Sequence, residues 1–127
     1  MCRMDKTKIL VVDDALFMRK LLGNTLKDIG YSNIVFAQDG YEAVDKAREI
    51  QPEVVTLDVS MPGMDGLEAI KKILQVSCDS KIIMVSAVTS EKVIQQAMKN
   101  GAVAYIPKPF SRKDVENGLR QCNAYIE

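Results

Sequence analysis

The chain has 127 residues, of which 47% are hydrophobic and 27% charged, which is typical of one globular domain with a hydrophobic core. Its 17 basic and 17 acidic residues balance, so net charge gives no reason to expect a nucleic acid or an anionic membrane as partner. It contains no histidine, which excludes Ser-His-Asp and Cys-His catalysis and removes the commonest zinc ligand.

The first part of the chain predicts two strand–helix units. Residues 8–12 are an apolar, β-branched run, and in 15–29 apolar residues recur at helical spacing until a glycine follows. The pattern repeats with a strand over 33–37 and a helix over 41–50, after which Pro52 prevents continuation. The apolar stripes of the two helices comprise Phe17, Leu21, Leu22, Leu26, Ile29, Ala43, Val44, Ala47 and Ile50.

The second part predicts three further units. The strands are residues 53–57, 81–85 and 103–107, and the helices are 67–75, 91–100 and a last helix that begins at Ser111. Ser111 and Asp114 fit a capping box. The apolar stripe of this last helix comprises Val115, Leu119, Cys122 and Ile126. Five alternating units predict an α/β fold, in which a parallel sheet carries helices on both faces.

The cysteines and the apolar runs bear on the cellular compartment. Cys2, Cys78 and Cys122 are odd in number and lie in no metal-ligand spacing, so we expect reduced thiols. No apolar run approaches the roughly 20 residues that span a bilayer, and the first residues lack the apolar stretch of a signal peptide. A cytoplasmic protein is therefore expected.

The residues that follow four of the five predicted strands form a candidate site. Asp13 and Asp14 follow the first strand, Asp58 the third, Ser86 the fourth and Lys108 the fifth. In an open α/β sheet the ligand site lies at the carboxyl ends of the strands, so we expect these side chains to converge. Crowded carboxylates repel each other unless a cation lies between them, and an all-oxygen ligand set selects a hard ion such as Mg²⁺.

Asp58 is the candidate nucleophile, because it ends a buried strand and an aspartate can accept a phosphoryl group as an acyl phosphate. Lys108 and the Ser86 hydroxyl would hold the phosphoryl oxygens from the far side. Taken singly, each residue has an ordinary structural explanation: Asp13 or Asp14 could cap the first helix, Ser86 could lie near a helix start, and Lys108 could be a solvated loop lysine. Their combination at the strand ends favours phosphoryl transfer.

The motifs resemble those of a response-regulator receiver domain over essentially the whole chain, from "ILVVDD" through "LDVSMPGMDG" and "IIMVSA" to "AYIPKPF". The resemblance implies one domain over residues 1–127. Its fold would be a flavodoxin-like, doubly wound (βα)5 unit with a five-stranded parallel sheet in the order 2-1-3-4-5. Within the family, "VDDALFMRKLL" and an end directly after the fifth helix most resemble the stand-alone chemotaxis regulators.

The resemblance also implies a metal site and a phosphoryl donor. A CheA-like histidine kinase would phosphorylate Asp58. Asp14, Asp58 and the backbone carbonyl of Ser60 would bind Mg²⁺ directly, and Asp13 would act mainly through water. Val59, which follows the phosphoacceptor, would lie against the bound group.

Further implied roles concern the switch. Lys108 would pair with a phosphoryl oxygen, Ser86 would move toward it, and the ring of Tyr105 would then turn inward. Ala87, next to the hydroxyl residue, would also adjoin the phosphoryl group, and the Lys108–Pro109 peptide would be cis. Some chemotaxis regulators have Trp where this chain has Val59 and Glu where it has Val88. The resemblance implies that Val88 and Ser60 flank the phosphoryl group, at positions that the family varies to tune hydrolysis.

The implied output is partner binding, not turnover of a substrate. The partner would be a flagellar motor switch protein, a phosphatase is a further candidate, and neither nucleic acid nor a membrane is expected. The protein would be a monomer and would catalyse only its own phosphorylation and dephosphorylation.

Three alternatives remain open. The chain could be the receiver of a longer regulator, such as a transcription factor or a chemotaxis methylesterase. A Mg²⁺-dependent phosphohydrolase with an aspartyl-phosphate intermediate would need a second aspartate where Ser60 stands. A flavodoxin-like binder of flavin mononucleotide would need a hydroxyl- and glycine-bearing loop where the chain has "DDALF".

Overall fold

A computed structural model of the chain describes residues 7–122, in which five strands alternate with five helices. The strands are β1 (Lys8–Val12), β2 (Asn33–Ala37), β3 (Val54–Leu57), β4 (Lys81–Ser86) and β5 (Ala104–Pro107). The helices are α1 (Leu16–Ile29), α2 (Gly40–Ile50), α3 (Gly66–Val76), α4 (Glu91–Asn100) and α5 (Arg112–Gln121). The predicted boundaries within this range agree to within about one residue, the usual uncertainty of element ends. Cys2 and Ile126 lie outside the described residues.

The sheet is parallel throughout and has the predicted order β2-β1-β3-β4-β5. Its register aligns the carboxyl ends of the central strands, because Val12 pairs with Leu57 and Leu57 pairs with Met84. Asp13 directly follows β1 and Asp58 directly follows β3, so the two residues lie side by side at the carboxyl edge of the sheet. This alignment confirms the predicted fold class and places the strand-end residues on one edge.

The sheet is buried on both faces because successive side chains of each strand point to opposite sides. One core cluster joins alternate strand residues such as Leu10 and Leu57 to Ile70 of α3, together with residues of α2 and α4. The other cluster joins Val11 and Ile83 to residues of α1 and α5. The apolar runs of the sequence reflect this two-sided burial.

The apolar residues of α1 divide between core and solvent. Leu22 and Leu26 are buried, whereas Phe17 is 73% and Leu21 39% exposed. The predicted stripe is thus not a single core-facing surface, because the helix packs on the sheet through a narrow face that includes Gly23. At the other end of the chain, α5 begins with the predicted capping box of Ser111 and Asp114, and both of its hydrogen bonds are present.

A buried hydroxyl chain closes the edge of the sheet where the strands begin. The Oγ atoms of Ser77 and Ser80 lie 2.6 Å apart, and the Ser80 hydroxyl donates to the carbonyl of Pro52. Beside them, the side-chain amide of Gln51 donates to the carbonyl of Val76 at 2.8 Å. These bonds tie the loop before β3 to the loop before β4.

Two cysteines lie within the described residues, and both are free thiols. Cys78 is exposed, whereas Cys122 is buried, and burial raises the pKa of the Cys122 thiol to about 11. Of the helices in residues 7–122, none combines the length and the apolar character needed to cross a bilayer.

Candidate functional site

Three carboxylates meet at the carboxyl edge of the sheet. Asp13, Asp14 and Asp58 each offer a ligand oxygen within 4.8 Å of the others. Asp13 and Asp58 are buried and Asp14 is exposed. The amide of Asp58 donates to the carbonyl of Val12 at 3.3 Å, so the pairing of β1 with β3 continues up to the candidate phosphoacceptor and fixes its backbone.

Lys108 reaches into this cluster from the end of β5. Its Nζ atom lies 2.6 Å from Oδ2 of Asp13 and 3.2 Å from Oδ2 of Asp58. Burial alone lowers the pKa of Lys108, but the hydrogen bond to Asp13 and the nearby negative charges outweigh it, so the pKa is raised above its ordinary value. The Lys108–Pro109 peptide is cis, as the family resemblance implies. The ammonium group therefore stays charged between two of the carboxylates.

Asp13 has additional contacts that give it a structural role. Its Oδ1 accepts a hydrogen bond from the amide of Ala15 at 2.9 Å, and its main-chain carbonyl accepts one from Nη1 of Arg19 at 2.7 Å. Ala15 is the N-cap of α1 and provides no side-chain cap. Asp13 therefore shapes the turn into α1, while Asp14 does not occupy the capping position that would explain it as a helix cap.

Ser86 and Tyr105 converge on the loop after β4 and not on the carboxylates. Ser86 is fully buried, and its Oγ accepts a hydrogen bond from the amide of Val88 at 3.1 Å. The hydroxyl of the half-buried Tyr105 donates to the carbonyl of the same Val88. Within residues 7–122 the Ser86 side chain forms no hydrogen bond with Asp58 or Lys108. The two candidate switch residues thus hold one peptide segment between them.

The loop after β3 surrounds Asp58 with backbone groups. The amide of Ser60 donates to Oδ1 of Asp58 at 3.3 Å, and the carbonyl of Val59 accepts a hydrogen bond from the amide of Gly66 at 2.8 Å. Val59 is buried, whereas Ser60 is exposed at the rim, as is Ala87 on the far side.

Gly66 and Arg19 were not predicted as site residues. A Cβ atom on Gly66 would lie 2.1 Å from the carbonyl oxygen of Asp58, so only glycine fits this approach of α3 to the candidate phosphoacceptor. Gly66 is the final glycine of the motif "MPGMDG", and this motif could have indicated a close backbone approach there. No pattern in the sequence indicates the contact of Arg19 with the Asp13 carbonyl.

The donor set suits a hard divalent cation. Only carboxylate and carbonyl oxygens are available, and Mg²⁺ is bound in proteins by one or two carboxylates together with waters. Asp14 forms no hydrogen bond or ion pair with any residue in 7–122, so its oxygens are available. The arrangement therefore fits Mg²⁺, for which the family resemblance implied Asp14, Asp58 and the carbonyl of Ser60 as direct ligands and Asp13 as a residue that acts mainly through water.

Exposed apolar side chains follow the acidic pair in sequence, at the start of α1. Leu16 and Phe17 in the first turn of α1 are 57% and 73% exposed, and Phe36 on the edge strand β2 is 36% exposed. Leu16 and Phe36 line a groove of about 310 Å³ with Arg19 and Lys20. We refer to Leu16, Phe17 and Phe36 as the α1 patch. Large apolar side chains grouped on a surface are typical of binding sites.

Comparisons with known proteins agree with this geometry. The family described as "Response regulator receiver domain" matches residues 9–120. The chain is 42% identical over 114 residues to the chemotaxis protein CheY of Listeria monocytogenes, a match that covers 90% of this chain and 96% of that protein. It is 43% identical over 105 residues to the protein-glutamate methylesterase/protein-glutamine glutaminase of Thermotoga maritima, covering 80% of this chain and 30% of that protein.

The fold comparison leads to the same family. A chain in the crystal structure of the CheX-CheY-BeF3-Mg complex from Borrelia burgdorferi superimposes with a TM-score of 0.88 and 30% identity, over 97% of this chain and 92% of that chain. Three findings support the same family. They are the acidic cluster at the strand ends, the family match over residues 9–120 and the 96% coverage of a CheY protein. The chain belongs to the response regulator receiver domain family of two-component systems, and it is a homologue of the chemotaxis regulators named CheY.

Proposed function

We propose that the protein is a chemotaxis response regulator that accepts a phosphoryl group on Asp58 from a histidine kinase in a Mg²⁺-dependent reaction. The observation that carries the proposal is the grouping of Asp58 with Asp13, Asp14 and Lys108 at the carboxyl edge of the sheet. With the carboxylates ionised and the lysine protonated, three negative charges and one positive charge leave a net charge of −2. Such a site favours a divalent cation.

The proposed reaction forms a bond between a carboxylate oxygen of Asp58 and phosphorus while the bond from phosphorus to the donor breaks. A nitrogen of the kinase histidine, or acetate when acetyl phosphate is the donor, leaves with the bonding electrons. When bound, Mg²⁺ supplies neutralisation of the negative charge on the phosphoryl oxygens. The residues proposed to hold it are Asp14, Asp58 and the carbonyl of Ser60.

Lys108 and Asp13 act together in this scheme. The Lys108 ammonium already lies 3.2 Å from Oδ2 of Asp58, so a phosphoryl group on Asp58 brings its oxygens within reach of the ammonium. Asp13 accepts the shorter hydrogen bond from Lys108 and keeps the lysine in the site before phosphorylation. Both of its carboxylate oxygens are already engaged, which is consistent with the prediction that Asp13 acts on the cation through water.

The proposed signal passes through the segment that Ser86 and Tyr105 share. Phosphorylation replaces the single negative charge of the Asp58 carboxylate with a phosphoryl group that carries about −1.5 to −2 charges, and its oxygens attract the Ser86 hydroxyl. Rotation of Ser86 toward the phosphoryl group removes the acceptor of the Val88 amide, and the loop after β4 is then free to shift. Tyr105 bonds to Val88 from the other side, so the shift changes the position of its ring and the surface formed by α4, β5 and α5.

The proposed output is binding to a flagellar motor switch protein, and the proposed phosphoryl donor is a CheA-like kinase. High identity to proteins named CheY supports both. A protein like CheX is a further candidate partner, because CheX is in a complex with the Borrelia burgdorferi relative. We propose a cytoplasmic location and a single receiver domain over residues 1–127. The proposal does not include enzymatic turnover of a separate substrate.

The direct test is phosphorylation by acetyl phosphate, followed by intact-mass measurement. Wild-type protein with Mg²⁺ should gain one phosphoryl group, and excess chelator should prevent the gain. Asp58→Asn should not be labelled, whereas Asp45→Asn, which removes an exposed carboxylate of α2, should be labelled like wild type. Uptake by Asp58→Asn at the wild-type rate would refute the assignment of the phosphoacceptor.

The output is tested separately by titrating the amino-terminal peptide of the switch protein against the apo and the beryllofluoride-loaded forms. Tighter binding to the loaded form is expected, and equal affinity would contradict the chemotaxis output. A second candidate is the receiver part of a longer regulator, which the methylesterase relative favours because only 30% of that protein is matched. The length of the natural gene product distinguishes the two.

A further inference from the structure

The guanidinium of Arg19 contacts the backbone of the acidic cluster at Asp13. The residue is half-buried in the first turn of α1, and its Nη1 donates to the main-chain carbonyl of Asp13 at 2.7 Å. Within residues 7–122 its side chain forms no ion pair. A guanidinium that contacts the backbone of Asp13 does not form an ion pair with the acidic cluster, so its bond to a carbonyl group calls for an explanation.

The carbonyl in question belongs to the peptide that joins Asp13 to Asp14. Because a peptide group is planar, fixing the direction of its carbonyl also fixes the amide of Asp14. The Asp14 side chain is exposed and has no hydrogen bond or ion pair within residues 7–122, so its direction depends on this backbone. By contrast, the Asp13 carboxylate is held independently by the amide of Ala15 and by Lys108.

We infer that Arg19 is a positioning residue for the candidate metal ligand Asp14: its hydrogen bond to the Asp13 carbonyl holds the Asp13–Asp14 peptide so that Asp14 faces Asp58. This inference rests on the proposed Mg²⁺-dependent function. The inference also predicts the direction in which loss of Arg19 changes the affinity for Mg²⁺. A positive charge near the site opposes the binding of a cation, whereas a positioning contact favours it.

The opposite signs allow a sharp experiment. Arg19→Met keeps most of the apolar stem but removes both the charge and the hydrogen bond. Lys20→Met is the matched control, because it removes one positive charge from the adjacent, exposed position of the same helix. The affinity for Mg²⁺ alone is measured by isothermal titration calorimetry, and the rise in melting temperature on adding Mg²⁺ provides a second readout.

Positioning predicts that Arg19→Met raises the dissociation constant for Mg²⁺ roughly tenfold, as loss of a group that orients a metal ligand commonly does. Lys20→Met should leave the constant unchanged or lower it slightly. The maximal rate of phosphorylation by acetyl phosphate at saturating Mg²⁺ should stay near the wild-type rate, because the nucleophile has not moved. Mg²⁺ binding by Arg19→Met that is as tight as wild type, or tighter, would overturn the inference.

A second variant covers the case in which Arg19→Met does not fold. Arg19→Lys retains the charge but replaces the planar fork by a single ammonium group. It should weaken Mg²⁺ binding roughly twofold or more if geometry matters, and should not change it if only the charge matters. Wild-type protein that neither binds Mg²⁺ nor accepts a phosphoryl group would refute the proposed function itself. If the wild-type protein binds Mg²⁺ and accepts a phosphoryl group, and the Arg19 variants bind Mg²⁺ as tightly as wild type, only the role of Arg19 is refuted.

Discussion

The Nζ atom of Lys108 lies 2.6 Å from Oδ2 of Asp13, which makes this ion pair the shortest polar contact in the acidic cluster. Asp58 is 0.6 Å farther from the same ammonium, and Asp14 has no partner within the described residues. The three carboxylates are therefore unequal before any cation binds. Asp13 is paired, Asp58 is partly paired, and Asp14 adds negative charge without compensation.

This inequality predicts opposite effects of two similar substitutions on stability in metal-free buffer. Asp14→Asn should raise the free energy of unfolding by up to about 1 kcal/mol, because it relieves repulsion at an exposed, solvent-screened position. Asp13→Asn should lower it by about 2 kcal/mol, because it weakens charge-assisted hydrogen bonds in a buried site. Urea denaturation with excess chelator measures both. Equal losses in the two variants would instead assign both aspartates a structural role.

Gly66 gives a prediction about the backbone of Asp58, the proposed phosphoacceptor. In Gly66→Ala the new Cβ would lie 2.1 Å from the carbonyl oxygen of Asp58, and backbone cannot yield without displacing the aspartate. We expect a loss of about 3 kcal/mol or more in the free energy of unfolding, together with slower phosphorylation by acetyl phosphate.

Gly23→Ala is the matched control for this experiment, because Gly23 is also a buried helical glycine. There the Cβ would meet the ring of Phe36 at 2.8 Å, and that ring is partly exposed and can move. The gain in helix propensity, about 1 kcal/mol, should offset much of this strain. Similar losses in the two variants would show that the contact with Asp58 has no special importance.

Thr56 is a buried residue of the central strand whose hydroxyl lacks a hydrogen-bond partner within residues 7–122. It lies beside Val11 and Ile83 on the neighbouring strands. Thr56→Val replaces the hydroxyl by a methyl group of similar shape and should raise the free energy of unfolding by about 1 kcal/mol. Thermal denaturation measures the change. Thr56→Ser, which keeps the hydroxyl and removes the methyl group, should be destabilised, and a destabilised Thr56→Val would indicate that the hydroxyl is bonded in solution.

The α1 patch predicts a difference between donors of the phosphoryl group. A protein donor must approach the site over the surrounding surface, whereas acetyl phosphate is small enough to enter directly. Phe17→Ser should therefore slow transfer from the cognate kinase roughly tenfold or more, as loss of a central aromatic contact in an interface commonly does. Labelling by acetyl phosphate should remain at the wild-type rate.

The control for the donor experiment is Tyr41→Ser, which removes another exposed aromatic ring, 59% accessible, from the start of α2. It should affect the two donors equally. If Phe17→Ser slows both donors to the same extent, the substitution has altered the site and not a docking surface. Stopped-flow or quenched-flow assays of phosphotransfer distinguish these cases.

The sequence predicted the fold and the membership of the acidic cluster because both depend on local patterns. β-Branched runs separated by amphipathic segments determine a parallel α/β sheet, and the residue after each strand lies at the carboxyl edge in any such sheet. Asp13, Asp14 and Asp58 could therefore be grouped without knowing the packing.

Side-chain direction could not be predicted in the same way. The periodicity of α1 groups Phe17 with Leu22, but only the position of the helix on the sheet decides that Phe17 is exposed. The preference of Lys108 for Asp13 over Asp58 depends on differences of less than 1 Å. The contact of Arg19 depends on where a long side chain ends, which rotamer freedom leaves open at the level of sequence.

The buried hydroxyls of Ser77 and Ser80, which end on the carbonyl of Pro52, have a mechanical consequence for the proposed switch, in which loops shift. They fasten the beginnings of β3 and β4 to each other, at the end of the molecule opposite Asp58. Strands anchored there cannot slide lengthwise when the distal loops rearrange. Any displacement of the loops is therefore expected at the end of the sheet that carries the carboxylates, while the beginnings of β3 and β4 stay in place.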